Sequence, residues 1–191
     1  NLAKIKIDIN KISIFPFKFN DLKSNEYNNG KKNHFIYVAS GQEYKNHLNL
    51  FKCWKHLENE NINLKLVVTL SNKEFKNITN KSNYSGKNII NYSNISRNEL
   101  IKLYFLSKAL IYPSFFESYA LPLVEANIIK LPIIASELDY VRDIVDPDET
   151  FNPHSSISMY RSIRRFLDIP EDKVKINTPY DFINNYIDEK Y

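Results

Sequence analysis

From His34 onward the apolar residues fall into two rhythms that take turns along the chain. Runs such as Phe35-Ile36-Tyr37-Val38-Ala39, Leu64–Leu70 and Asn88–Tyr92 are short and dense in apolar side chains, as suits strands of a buried sheet. Between them the spacing widens to three and four. Leu48, Phe51, Trp54 and Leu57 predict one helix; a shorter one is expected near Glu74–Ile78; and Ser96 with Glu99 makes a capping box for a helix carrying Leu100, Leu103, Tyr104 and Leu106. Leu110-Ile111-Tyr112 then predicts a strand ended by Pro113 and Ser114. A helix is expected from Leu121, with Pro122 tolerated in its first turn and Leu121, Val124, Glu125 and Ile128 at helical spacing. A strand at Leu131–Ala135, a short helix over Val141–Val145, a strand at Thr150–Phe151 and a helix from Ser155 to Leu167 follow. Beyond Pro170 lies an amphipathic segment with Phe182, Tyr186 and Ile187.

Strands alternating with helices predict an α/β fold, a Rossmann-like doubly wound parallel sheet covered on both faces. Residues 1–32 have a different character. Ile5, Ile7 and Ile9 alternate, and a polar stretch from Asn20 to Lys32 contains Asn28-Asn29-Gly30, so this part reads as an entry segment or linker before one domain over residues 33–191 with a C-terminal helix.

Composition narrows the classes. With 43% hydrophobic and 14% aromatic residues in 191, the chain can fill one full core. Its net charge of +4, from 26 basic and 22 acidic residues, is too small and too scattered for a nucleic-acid surface. A single cysteine, Cys53, and four dispersed histidines offer neither an internal disulfide nor a zinc-type spacing; a reducing, cytoplasmic setting is expected, with no metal. No apolar run is long enough to span a membrane and no apolar signal segment opens the chain. It begins at Asn1 rather than methionine, which suggests a piece of a longer protein. The Asn-x-Ser/Thr triplets between Asn77 and Ser96 are better explained by a composition rich in Asn, Lys and Ile than by glycosylation.

In such sheets ligands bind where strand ends lead into helices, which singles out the loops Ser40–Lys45 and Pro113–Leu121. The second loop and the helix after it set Glu117 and Glu125 eight residues apart. Backbone N–H groups of Tyr119, Ala120 and Leu121 are placed to meet phosphate at the helix start, and each carboxylate can accept two hydrogen bonds from the neighbouring hydroxyls of a sugar or ribose. Lys45 stands where a helix begins, where the dipole disfavours a cation, and a bound diphosphate would account for it. Ligand-free explanations stand beside these: the dipole favours a first-turn glutamate by about 0.3–1 kcal/mol unaided, and Lys45 is also readable as a surface lysine. The chain has three glycines and neither a G-x-G-x-x-G nor a G-x-x-x-x-G-K-[ST] pattern, which counts against nicotinamide dehydrogenases and P-loop ATPases.

Several segments, in order, resemble the nucleotide-binding C-terminal half of retaining glycosyltransferases of family 4, which have the two-domain GT-B fold. They are Phe35–Gly41 with Tyr44-Lys45-Asn46, Ser96–Leu110, Tyr112–Ala126 with its E-x7-E motif, and Leu131–Ser136 followed by Val141–Ile144. The resemblance implies that residues 33–191 bind a nucleotide-sugar donor. It implies that Glu117 meets the donor sugar and Glu125 the ribose diol, and that Lys45 stabilises the departing diphosphate. The backbone of Ser118, Tyr119, Ala120 and Leu121 would cradle that diphosphate. Gly41 belongs to the basic loop, and base recognition is expected near Tyr92. The implied reaction is retaining transfer of a hexosyl or related group to an acceptor hydroxyl, in cell-envelope, capsule or other glycan synthesis, with no cofactor or metal.

The acceptor-binding amino-terminal domain of the family is not in this sequence, and Ile14-Phe15-Pro16-Phe17 resembles the interdomain link. The fragment alone is therefore expected to bind donor without turnover, and the full protein to be cytoplasmic, with peripheral association at the inner face of a membrane left open. Two departures stand out: Gly41–Tyr44 holds no arginine, and Ala120 replaces a common glycine, a change expected to disfavour a positive φ there. They leave open a non-catalytic GT-B-like binding module; a GT-B-fold nucleotide-sugar epimerase is a further alternative.

Overall fold

A computed structural model describes residues 34–170, 178–180 and 183. The expectations for residues 1–32 and for Phe182, Tyr186 and Ile187 lie outside these residues. Six short strands, β1 (His34–Tyr37), β2 (Lys65–Val68), β3 (Ile89–Asn91), β4 (Ala109–Tyr112), β5 (Ile133–Ser136) and β6 (Glu149–Phe151), form one parallel sheet in the order β3-β2-β1-β4-β5-β6. The helices between them are α1 (His47–Asn59), α2 (Asn72–Ser82), α3 (Arg97–Leu106), α4 (Leu121–Ile128), α5 (Asp139–Arg142) and α6 (Ser156–Phe166).

The order places the site. From β1 the chain steps outward through β2 to β3, then returns to lay β4 along the other side of β1. The loops leaving β1 and β4 therefore diverge from adjacent strand ends and open a crevice at the switch point of the sheet.

Strand and helix cores meet by period. Phe35 and Tyr37, two residues apart, point to one side: Phe35 meets Trp54 and Phe166 edge-on at 6.1 and 5.6 Å, and Tyr37 packs on His47 at 4.7 Å. Trp54 is fully buried and its indole N–H donates to the Leu64 carbonyl at 2.9 Å, so its polar edge carries no desolvation penalty; truncating such a residue to alanine costs about 3–5 kcal/mol. α3 and α4 pack against β1, β4 and β5 with buried Ile101, Tyr104, Leu123 and Ala126.

Four expectations need correction. The buried stripe of α1 is Leu50, Phe51, Cys53, Trp54 and Leu57, whereas Leu48 is exposed. α2 runs eleven residues rather than a few, because Ser71 and Glu74 close a full capping box at its start. In α4 the buried residues are Leu123, Glu125 and Ala126, while Leu121 and Ile128 are exposed; a buried carboxylate with two donors turns the helix away from its most apolar stripe. The short helix begins at Asp139, two residues before Val141.

Candidate functional site

Two loops, distant in sequence, are pinned to each other before any functional side chain is considered. The Phe115 N–H donates to the Tyr44 carbonyl at 2.8 Å, and the Asn46 amide, buried and left-handed at φ 59°, donates to the carbonyls of Pro113 and Pro153 at 2.9 and 2.8 Å. The Tyr37 hydroxyl donates to the Lys45 carbonyl at 2.8 Å and shares a 2.9 Å hydrogen bond with Ser114 Oγ. Burial pushes that phenol's pKa well up, so it stays protonated and keeps its donor. From the other side, the Tyr140 hydroxyl donates to the Ser114 carbonyl at 2.8 Å. On the surface, Tyr44 stacks on Phe116 with ring centres 4.5 Å apart.

This frame delivers Lys45 to Glu117. The ammonium lies 2.6 and 2.8 Å from the two carboxylate oxygens, and the Tyr112 hydroxyl donates to Oε1 at 3.0 Å. With side chains only 14% and 9% exposed, the pair is largely removed from water, and deleting one partner of such a pair costs about 3–5 kcal/mol because the other charge is stranded.

Glu125 is built differently. Its Oε2 accepts from the Tyr104 hydroxyl at 2.8 Å, while Oε1 meets Arg97 NH1 at 2.6 Å; Glu125 is nearly buried, but the Arg97 side chain is 45% exposed. The phenols of Tyr104 and Tyr112 are pushed above their ordinary range, first by burial and then by the adjacent carboxylates, so both remain donors at any working pH.

Lys45, Arg97, Glu117, Glu125 and the Ser118–Leu121 backbone line one cleft of about 390 Å³. α4 opens on it from Ala120, which adopts the left-handed conformation at φ 47°, ψ 53° and gives the helix no side-chain cap. This corrects the expectation for Ala120: the position takes a positive φ without glycine, at a cost of roughly 1–2 kcal/mol.

Two expected site residues lie elsewhere. The Gly41 N–H donates to Glu74 Oε1 at 2.9 Å, and a Cβ on Gly41 would sit 2.7 Å from Glu74 Cγ, so its lack of a side chain serves the approach of α2. Gly41 lines a neighbouring cleft of about 540 Å³ between the start of α1 and α2. Tyr92 is exposed just past β3 and does not line the 390 Å³ cleft.

Conversely, Arg97, Tyr104 and Tyr112 escaped the sequence reading. The tyrosines look like ordinary core residues. Arg97 carried a signal: it is a cation in the first position of a capped helix, as ill-placed for the dipole as Lys45. Among the described residues no group of three or more His, Cys, Asp or Glu could hold a metal ion, and no helix is long and apolar enough to cross a membrane.

Residues 18–180 match the family described as glycosyl transferases group 1. No curated protein matches in sequence. Among solved structures, the chain is similar to the C-terminal domain of a glycosyl transferase group 1 family protein (LpcC) from Francisella tularensis, at TM-score 0.58 and 20% identity over 73% of this chain and 76% of that one. It is similar to the catalytic domain of cholesterol-alpha-glucosyltransferase from Helicobacter pylori, at TM-score 0.56 and 16% identity over 71% and 86%. A sucrose-phosphate synthase from Thermosynechococcus elongatus matches at TM-score 0.60 and 18% identity over 72% of this chain but 36% of its own, so the chain spans about a third of that protein's length. At these identities the likenesses establish a shared fold, that of C-terminal GT-B domains.

Proposed function

The chain belongs to the group 1 glycosyl transferases, family 4 with the GT-B fold, and from that premise we propose that its 390 Å³ cleft binds the nucleoside diphosphate of a sugar donor for retaining transfer to an acceptor hydroxyl. The observation that carries this reading is the convergence of Lys45, Glu117 and Glu125 on one cleft at the uncapped start of α4.

Each residue has a task suited to its surroundings. Glu125 is held by Tyr104 through one oxygen and by Arg97 through the other, and as a residue lining the cleft it can accept from ribose hydroxyls. The amides at the start of α4 and the Lys45 ammonium are placed to meet the diphosphate. Negative charge grows on that group as the bond between the anomeric carbon and the phosphate oxygen breaks, and fixed donors stabilise it. Glu117, locked by Lys45 and Tyr112, presents a carboxylate to hydroxyls of the sugar. With cationic side chains and a helix start facing the phosphates, the reading requires no metal. The acceptor belongs to a second domain facing this cleft, and the whole enzyme is a cytoplasmic one that builds envelope or other glycans.

Isothermal titration with UDP, GDP and ADP in turn tests the reading. One of them should bind, and Lys45→Ala and Glu125→Ala should each weaken it about tenfold or more. Absence of binding by all three would remove the donor-site assignment.

A further inference from the structure

The cleft holds two cations and two carboxylates, already paired one to one: Lys45 with Glu117 and Arg97 with Glu125. A nucleoside diphosphate brings at least two negative charges into this balanced set. One cation must therefore turn towards phosphate. The two are not equally free to do so. Lys45 contacts both oxygens of Glu117 in a setting largely closed to water, so it can offer phosphate its remaining N–H only while keeping that pair, and releasing it would strand a nearly buried carboxylate. Arg97 is half-exposed at the first position of α3, and Nη1 of its guanidinium, which carries five N–H donors, lies 2.6 Å from Glu125 Oε1. When Arg97 leaves, Glu125 keeps the Tyr104 hydroxyl, and an incoming hydroxyl can replace the lost bond.

Building on the donor-site reading, we propose that Arg97 is an exchanging phosphate ligand. It occupies Glu125 in the empty cleft and transfers to the donor's phosphate as the ribose diol takes its place on the carboxylate. The two steps support each other. Ribose entry frees the guanidinium, and phosphate gives it a second partner in a charge-assisted, bidentate geometry. The first loop contains Lys45 as its one cation, and Arg97, lining the same cleft, would supply the second from the start of α3. Its position at a helix start, unfavourable for a cation, is then explained by the ligand rather than by the helix.

The exchange makes an unusual prediction of opposite signs. A nucleoside without phosphate must displace Arg97 from Glu125 and offers the arginine nothing in return. Arg97→Ala should therefore weaken nucleoside diphosphate binding by about ten- to a hundredfold, the range of a lost charge-assisted bond, while leaving binding of the matching nucleoside unchanged or tighter. Arg97→Lys should recover part of the diphosphate affinity. Ligand-observed NMR titrations of this chain with UDP, GDP and ADP and with uridine, guanosine and adenosine read both arms. Parallel weakening of diphosphate and nucleoside would overturn the exchange, since Arg97 would then only orient Glu125. Unchanged diphosphate affinity would also overturn it while leaving the donor-site reading intact. Failure of the unmodified chain to bind any diphosphate would overturn both.

Discussion

Helices α3 and α4 both open on the same cleft, and they begin in opposite ways. α3 starts with a closed capping box, in which Ser96 Oγ accepts from the Glu99 N–H at 3.3 Å and Glu99 Oε2 accepts from the Ser96 N–H at 2.9 Å. α4 starts from a left-handed alanine with no side-chain cap at all. The closed start satisfies its own amides and so can serve as a rigid post for Arg97. At the open start no side chain closes the first turn, Pro122 carries no N–H and the Leu123 N–H donates to the Ala120 carbonyl at 2.9 Å, so helix stability is sacrificed beside Lys45. α1 also begins without a side-chain cap: Asn46 turns its side chain to two prolyl carbonyls, and His47 donates Nε2–H to the Ser40 carbonyl at 2.9 Å. The difference teaches that a missing side-chain cap, which α1 and α5 share, does not by itself single out α4; the cleft on which its start opens does.

The largest effect should come from the cation at the open start. In a protein carrying both GT-B halves, Lys45→Ala should lower the transfer rate by about 10²- to 10³-fold, as for loss of one fixed donor to a developing anion. Wild-type turnover in a steady-state assay would show that the start of α4 works without it.

Next in size is the effect at the start of α1, where His47 is buried. Desolvation holds the His47 pKa down at about 4, against 6.5 when unfolded, so between these values the unfolded chain binds the proton and the folded one does not. Stability from this residue is complete above pH 6.5 and is lost as pH falls towards 4, by roughly 3 kcal/mol. Urea unfolding across that range should show the decline, and His47→Gln should remove this part of it.

Smaller, and opposite in sign, are the effects at the two compared helices. Ser96→Ala opens the capping box and should destabilise by about 1 kcal/mol in urea unfolding. Ala120→Gly relieves the left-handed alanine and should stabilise by up to about 1 kcal/mol without weakening diphosphate binding. A loss of stability in the glycine variant would contradict the left-handed start.

Much of this was legible in the chain itself. The alternation of dense apolar runs with helical spacing predicted the parallel sheet, because strands buried on both faces and helices buried on one leave different periods. Lys45, Glu117 and Glu125 stood out because the topology of such sheets brings their loops together. The Ser71-x-x-Glu74 box was equally readable, yet only Ser96 and Glu99 were recognised, and α2 was expected too short as a result.

Other features depended on three dimensions. Which face of α4 is buried was decided by Tyr104 and Arg97, whose contacts with Glu125 span 21 and 28 residues of chain and leave no periodic trace. The packing of Gly41 against Glu74, 33 residues away, likewise leaves no trace in the sequence. Sequence alone determined the layers, the starts of α3, α4 and α6 and the carboxylates, because these follow from local periodicity and local hydrogen bonding. Only tertiary structure decided how the charges pair, because pairing depends on which distant side chains share a space closed to water, and that is set by packing.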